Sequence, residues 1–187
     1  MANFRFFVEG KADAKFIKDL IEEHFGLVLD LRTDFIELGG WSGYKKEANR
    51  FIESTLLGNT NIVVMDNDEK ERRAEVEKDF VDLNIKGELF LMPDDRRIGE
   101  LETLLSDIAV KRDIIKCFDQ YKECIRQYNP IDEKDKIYAY LDALLSQKDK
   151  KKLIKDENRD FRNKEHWDLH HESLNPLLEF LTKHLKP

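Results

Sequence analysis

The sequence has few of the residues that mark several protein classes. Its 187 residues include 2 cysteines, 8 glycines and 4 prolines, which excludes a disulfide-rich scaffold and a collagen-like fibre. No apolar run approaches the roughly 18 residues needed to span a bilayer, so we expect no membrane segment. Cys117 and Cys124 lie in one helical pattern, about 10 Å apart along the axis, which is too far for a disulfide. Free thiols are typical of a reducing compartment, and we therefore expect a cytoplasmic protein.

The composition is that of a folded, acidic protein. Hydrophobic residues make up 41% and charged residues 38%, and 32 Lys and Arg stand against 39 Asp and Glu, for a net charge of −7. The hydrophobic share is sufficient for a core, and the high charged share indicates solvated helices. An acidic surface disfavours nucleic-acid binding by charge alone, which needs a basic footprint. It is compatible with an enzyme that meets phosphate groups through metal ions.

The first hundred residues alternate strand-like runs with helical periodicity, an order that predicts a parallel sheet. The run at 61–65 is continuously apolar, as in a strand buried on both faces. The predicted fold class is therefore α/β, with a mostly parallel four-stranded, Rossmann-like sheet and helices on both faces. We predict strands at 4–8, 35–38, 61–65 and 88–92, a further extended piece at 27–31, and helices at 13–24, 44–57 and 69–83.

The rest of the chain is predicted to be mainly helical. The charged stretch 148–162 shows little periodicity, and we predict a loop there. We expect an α/β domain over 1–110 and a helical extension over 111–187 that packs on it, as one compact unit. The predicted helices of the second half are 99–109, 111–128, 133–147 and 174–185.

Acidic residues follow three of the predicted strands. Glu9 and Asp13 follow the first strand, Asp66 and Asp68 follow the third, and Glu102 follows the fourth after a short loop. Because the carboxyl ends of parallel strands meet at one edge, we expect these side chains to lie together. Carboxylate oxygens are the ligands that Mg²⁺ prefers, so the pattern predicts a site for Mg²⁺ or Mn²⁺. Taken singly, each acid also has a structural explanation in turn formation or in the helix dipole.

Two segments resemble motifs of Toprim domains. Segment 7–16, FVEGKADAKF, resembles the opening motif of that family, and segment 62–68, IVVMDND, resembles its DxD motif. The chain is further similar to small stand-alone Toprim-like proteins of unknown function, related to the Toprim domain of overcoming-lysogenization-defect nucleases. That similarity continues through 92–94 and 99–105, and it is weak over the helical remainder.

The resemblance implies metal-dependent cleavage or transfer of phosphodiesters on DNA or RNA. Position 100, where a serine is often expected in the family, is Glu100 in this sequence and adds charge to the site. The resemblance also implies the metal ligands: Glu9 and Asp13 match the ExxxD acids, Asp66 and Asp68 the DxD acids, and Glu102 the later acid.

The resemblance further implies a lysine in the metal-dependent site, and we predict that it is Lys136. This residue comes after the acidic motifs and before an apolar helical run, where a cation would stabilise charge on a phosphate in the transition state. Its structural alternative is a solvated helix lysine. Glu9, Asp66 and Lys136 are thus the predicted catalytic residues, and Lys11 is a predicted substrate contact.

Two other functions stay open from the sequence. A receiver-type signalling domain also places acids after early strands of an α/β sheet, although the ExxxD and DxD spacings fit it poorly. A non-catalytic interaction module with a Toprim fold would instead bind a protein partner in DNA repair or phage defence through its helical portion. The sequence gives no indication of the oligomeric state.

Overall fold

A parallel sheet lies at the centre of the structure, a computed structural model that describes residues 3–128, 131–153, 155 and 158–185. Its strands are β1 (Asn3–Val8), β2 (Phe35–Glu37), β3 (Asn59–Asp66) and β4 (Glu88–Met92). They are ordered β2-β1-β3-β4, and all three pairings are parallel. The α/β prediction is therefore confirmed, and each of the four predicted strands is found at its predicted place.

Helices connect the strands and form the second half of the chain. Within the described ranges, no helix has both the length and the apolar character needed to cross a membrane. The helices between strands are α1 (Lys11–Phe25), α2 (Gly43–Lys46), α3 (Ala48–Leu56) and α4 (Arg72–Asp82). Those after β4 are α5 (Leu101–Ile108), α6 (Arg112–Ile125), α7 (Glu133–Leu144), α8 (Gln147–Leu153), a 3₁₀ turn (Glu172–Leu174) and α9 (Asn175–His184).

Alternate strand residues divide the core into two layers, because successive side chains of a strand point to opposite faces. Phe6 and Val64 belong to the layer that contains α1, α5, α7 and α9. Phe7 and Val63 belong to the layer that contains α3 and α4. The first layer joins side chains from both halves of the chain, so the helical extension and the sheet share one hydrophobic cluster.

The extended piece predicted at 27–31 is a loop. Asp30 causes this, because its Oδ1 accepts hydrogen bonds from the backbone N–H of Arg32, at 2.8 Å, and of Thr33, at 3.1 Å. Such an aspartate turn competes with pairing in a sheet. The predicted helix at 44–57 is also divided, since α2 ends before Glu47 and α3 begins after it.

Part of the loop predicted at 148–162 is helical, since α8 occupies its beginning. Ser146 stands just before this helix, and its Oγ accepts from the N–H of Asp149 at 3.3 Å. Lys150 Nζ lies 2.7 Å from Asp142 Oδ1, which ties the helix to α7. A capping serine and a tertiary ion pair therefore replace the hydrophobic periodicity that the sequence lacks. Both cysteines of α6 are exposed free thiols, as predicted.

Candidate metal centre

Four of the predicted acids lie at the carboxyl edge of the sheet. Glu9 directly follows β1, and Asp13 stands in the first turn of α1. Asp66 ends β3, and Glu102 stands in the first turn of α5. Asp13 and Glu102 are buried, with only 7% of each residue exposed. The order of strands and helices thus brings together acids that are up to 93 positions apart in the sequence.

Backbone hydrogen bonds hold three of these carboxylates in place. Glu9 Oε1 accepts from the N–H of Asp66 at 3.0 Å, which joins the ends of β1 and β3. Asp66 Oδ1 accepts from the N–H of Leu101 at 3.1 Å, which joins β3 to the start of α5. Asp13 Oδ2 accepts from the N–H of Gly10 at 2.9 Å and caps α1. Each carboxylate thus has one oxygen fixed by the scaffold, which restricts its rotation.

Asn67, between the two acids of the DxD motif, fixes the loop that leads to Glu102. Its backbone N–H donates to Gly99 O at 2.9 Å, and its carbonyl oxygen accepts from the Gly99 N–H at 3.0 Å. Its side-chain Nδ2 donates to Arg97 O at 2.7 Å. A Cβ at Gly99 would lie 3.0 Å from both Pro93 and Thr103 side chains, so glycine allows this close approach. Sequence reasoning missed Asn67, for which the signal was a polar residue in a buried turn.

The carboxylates at this edge repel one another, and their pKa values reflect it. Burial raises the pKa of Asp66 to about 9, helped by the charges of Asp13, Glu9 and Glu102. Burial likewise raises the pKa of Asp13 to about 7, again with help from Glu9 and Glu102. The pKa of Glu9 is raised by burial in spite of the hydrogen bond from the Asp66 N–H. Burial first, and the nearby like charges second, thus favour the neutral forms of these carboxyl groups.

Asp68, the second acid of the DxD motif, lies farther out than the other four. Its side chain is 48% exposed, and its Oδ2 is 3.6 Å from Nη2 of Arg72, which comes four residues later at the start of α4. Its charge still acts on Glu9 and on Glu100. Asp68 therefore stands at the rim of the acidic edge.

Arg72 is a component of this edge that sequence reasoning missed. It is 3% exposed, and its guanidinium stacks over the ring of Trp41 with the Cζ 4.0 Å from the ring centroid. Its Nε makes no hydrogen bond within the described part of the chain. The signals were its spacing of four from Asp68 and the tryptophan in the glycine-rich turn after β2.

The two predicted lysines occupy different surroundings. Lys11 is exposed at the first position of α1, beside the acidic edge in sequence. Lys136 is 8% exposed, and its Nζ lies 2.7 Å from both Asp119 Oδ1 and Glu133 Oε2. No described ion pair joins it to Glu9, Asp13 or Asp66. The structure therefore places Lys136 between α6 and α7 with two acidic partners of its own.

Glu100 connects the acidic edge to this helical region. Burial raises its pKa to about 7, and the nearby carboxylates of Glu102, Asp132, Asp68 and Glu133 raise it further. Glu100 thus adds to the repulsion among these carboxylates.

The donor set suits a hard divalent cation in its chemistry, because Mg²⁺ and Mn²⁺ prefer carboxylate oxygens. The acids that could hold such an ion are Glu9, Asp13, Asp66 and Glu102, with Asp68 at the rim. Among the described residues, however, no three His, Cys, Asp or Glu side chains are already placed to hold one ion. Ligation would require these side chains to move closer together, and the second oxygen of Glu9, Asp13 and Asp66, which accepts none of these backbone hydrogen bonds, could then face the ion.

Comparison with known proteins identifies a family but no activity. No curated protein and no solved structure matches the sequence significantly. A family model described as a protein of unknown function, DUF3226, matches residues 3–186. Because this match covers nearly the whole sequence, the chain belongs to the DUF3226 family.

Proposed function

We propose that the protein binds Mg²⁺ or Mn²⁺ at the acidic edge of its sheet and cleaves or transfers phosphodiesters of DNA or RNA. The observation that supports this best is the convergence of Glu9, Asp13, Asp66 and Glu102 from four separate elements. Backbone hydrogen bonds fix three of them, so their positions are built into the fold. The Toprim resemblance of segments 7–16 and 62–68 supports the same chemistry.

The charges at this edge support a cation rather than a purely structural role. Buried carboxylates without opposite partners destabilise a fold, and proteins retain them mainly at functional sites. A divalent ion would compensate the charges of Asp13 and Asp66 together. Metal binding would therefore release the protons that these two groups hold at neutral pH.

In this proposal Glu9, Asp13, Asp66 and Glu102 are the metal ligands, and Asp68 joins them by turning away from Arg72. A bound Mg²⁺ or Mn²⁺ would supply Lewis-acid activation of water and stabilise the leaving oxygen of a phosphodiester. Glu9 and Asp66, tied together through the Asp66 N–H, would orient the attacking water and accept its proton. Lys11 would contact the substrate backbone from the exposed start of α1.

Calorimetric titration of Mn²⁺ tests the metal site directly. Wild type is expected to bind Mn²⁺ with proton release, and Asp66→Ala is expected to lose binding by about 100-fold or more. Asp82→Ala is the matched control, since Asp82 is an exposed acid at the end of α4. Equal binding by wild type and a folded Asp66→Ala variant would contradict the assignment.

A cleavage assay on single-stranded and double-stranded DNA and RNA tests the activity. Asp66→Ala is expected to lower any metal-dependent rate by roughly 100-fold or more, as removal of one essential group does. Unchanged cleavage by this variant at matched concentration would assign the activity to a contaminant or to another site.

A non-catalytic interaction module is the second candidate. It is favoured by one observation, namely that no three acidic or histidine side chains of the described residues are placed to hold one ion. Under this alternative, wild type would bind no Mn²⁺ in the same titration, and the helical extension would contact a protein partner. The calorimetry thus distinguishes the two candidates before any substrate is known.

A further inference from the structure

A basic pocket lies at the other end of the sheet from the acidic edge. It is a cavity of about 230 Å³ between the starts of β1 and β2 and the helix α3. Three arginines from separate segments line it, namely Arg5, Arg32 and Arg50, together with Glu53 and Ser54. Apolar side chains of β2 and Leu57, just after α3, complete the wall. Arg5 precedes Glu9 by four residues, so the two sites lie about 13 Å apart along β1.

Local contacts hold each arginine in position. Arg5 Nη1 donates to the carbonyl of Thr33, which ties β1 to the loop before β2. In the same loop, the Asp30 turn fixes the backbone of Arg32 through a 2.8 Å hydrogen bond. Arg50 Nε lies 3.2 Å from Glu47 Oε2 at the start of α3. Side-chain contacts thus hold the guanidinium groups of Arg5 and Arg50, and the turn holds the backbone of Arg32, which reduces the entropy lost when a ligand binds.

The pocket is positively charged in a protein that is negative overall. Three guanidinium groups face one carboxylate, Glu53, in its lining, whereas the whole chain carries −7. Arg50, Glu53 and Ser54 are spaced i, i+3 and i+4, so they share the face of α3 that looks into the cavity. Glu47 beside Arg50 and Asp30 beside Arg32 offset part of this charge from outside the lining, so the wall that faces the cavity itself stays positively charged.

We propose that this pocket binds a phosphate group. Guanidinium groups bind phosphate in a bidentate manner, and three of them can surround the oxygens of a tetrahedral dianion. A single carboxylate would use one of the three and leave the other two uncompensated. The cavity has room for a phosphate with part of the molecule that carries it. That carrier is a small phosphorylated metabolite or the terminal phosphate of a nucleic acid strand. The site stands independently of the function proposed for the acidic edge.

Titration with inorganic phosphate, followed by phosphorus NMR and calorimetry, tests the pocket. Wild type is expected to show saturable binding below about 10 mM phosphate, with chloride at equal ionic strength as the reference. Arg32→Gln and Arg50→Gln are each expected to weaken binding roughly 10-fold, and the double variant roughly 100-fold. Both side chains are exposed, so these variants are expected to fold.

Arg126→Gln is the matched control for Arg50→Gln. Arg126 is also exposed and also pairs with a glutamate three residues earlier, Glu123, at 3.3 Å, but it lies at the end of α6. Its phosphate affinity is expected to equal that of wild type. The proposal is overturned if wild type shows no saturable binding, or if the double variant binds as tightly as Arg126→Gln.

The source of the phosphate is distinguished with three further probes under the same conditions. These are adenosine monophosphate, an oligonucleotide with a 5′-phosphate, and the same oligonucleotide without it. Tighter binding of the phosphorylated oligonucleotide, lost in the double variant, indicates a nucleic acid end. Tighter binding of the mononucleotide indicates a small metabolite. Equal binding of both oligonucleotides by wild type and the double variant would overturn a nucleic acid end as the carrier of the phosphate.

Discussion

Two groups of partly buried charges lie close together in this fold and are built in opposite ways. The acidic edge gathers Glu9, Asp13, Asp66 and Glu102, and no lysine or arginine of the described residues forms an ion pair with the first three. The ion-pair group between α6 and α7 alternates its signs instead. Its contacts are Lys122 to Glu133, Lys136 to Glu133 and Lys136 to Asp119, each at 2.7 Å.

The pKa shifts favour the neutral forms of the acids at the acidic edge and the charged forms in the ion-pair group. At the acidic edge, burial and like charges raise the pKa values of Asp13 and Asp66, which favours their neutral forms. In the ion-pair group, burial opposes ionisation, but hydrogen bonds from Lys122 and Lys136 still lower the pKa of Glu133. Burial also opposes the charge of Lys136, yet Asp119 and Glu133 raise its pKa. Removing one member of an ion pair destabilises a fold, whereas the opposed ionisation of Asp13 and Asp66 points to a ligand.

Removing the central cation of the ion-pair group is expected to have the largest effect on stability. Lys136→Met keeps most of the aliphatic volume but leaves Glu133 and Asp119 without this partner. We expect a loss of about 2 kcal/mol in the free energy of unfolding, less than for a fully buried pair, because Asp119 is half exposed and Glu133 keeps Lys122 as a partner. Denaturation in urea, followed by circular dichroism, measures this change.

Lys116→Met is the control for this substitution, because Lys116 is an exposed lysine on α6. Its effect is expected to stay within about 0.5 kcal/mol. Equal stability of Lys136→Met and Lys116→Met would show that the ion-pair group does not hold α7 in place.

The catalytic role of Lys136 stays a prediction, and Lys136→Arg tests it, since arginine keeps the charge while changing the group offered to a substrate.

The sheet was predictable because its strands carry their own signal. The continuous apolar run at 61–65 reports a strand buried on both faces, and each glycine or acid after a strand reports its end. The loop at 27–31 and the helix α8 were not predictable from periodicity. Asp30 and Ser146 determine them through single side-chain hydrogen bonds to the backbone. Such contacts depend on local geometry, which hydrophobic patterns do not describe.

The candidate site, like the fold, was predictable only in part. The acids of the ExxxD and DxD motifs are found at one edge because parallel topology alone requires it. The partners of Lys136 were not predictable, since they depend on how α6 and α7 cross. Arg72 was missed for a related reason, because its stacking on Trp41 joins the start of α4 to the turn after β2, and the two residues are 31 positions apart. Topology predicts which strand ends meet, whereas side-chain pairing depends on helix packing.

Neutralising one unpaired acid is expected to stabilise the metal-free protein. In Asp66→Asn, the amide oxygen still accepts from the Leu101 N–H, and the folded protein no longer carries a carboxyl whose ionisation is opposed by burial and by Asp13, Glu9 and Glu102. We expect a gain of about 1.5 kcal/mol near neutral pH in the presence of a chelator, or roughly 5 °C in Tm. Asp82→Asn, on an exposed site, is the control and is expected to change little.

The pH dependence of this gain follows from the raised pKa. The unfolded chain loses the Asp66 proton near pH 3.8, whereas the folded protein holds it until about pH 9. The penalty for folding is absent below the first value and grows up to the second. The stabilisation by Asp66→Asn should therefore vanish in acid and increase towards pH 9. A gain that is constant with pH would show that the opposed ionisation of Asp66 is not its cause.

The smallest effect is expected at Glu100, which lies between the two groups. Its pKa is raised to about 7, first by burial and then by Glu102 of the acidic edge and by Asp132 and Glu133 at the start of α7. Glu100→Gln removes a charge that both sides oppose, and solvent screens much of the interaction. We expect a gain of about 0.5 kcal/mol in a chelator near pH 8, measured by urea denaturation against wild type.

The pH dependence of the Glu100 effect tests this comparison more sharply than its size does. Its carboxyl ionises near pH 4.5 in the unfolded chain and near pH 7 in the folded one, so the gain should appear between these values and stay constant above them. Combining Glu100→Gln with Lys136→Met separates its two sources of repulsion, because the loss of Lys136 increases the uncompensated charge of Glu133. The gain should then be larger than in wild type. An unchanged gain would assign the repulsion at Glu100 to the acidic edge alone, and the two charged groups would then be energetically independent.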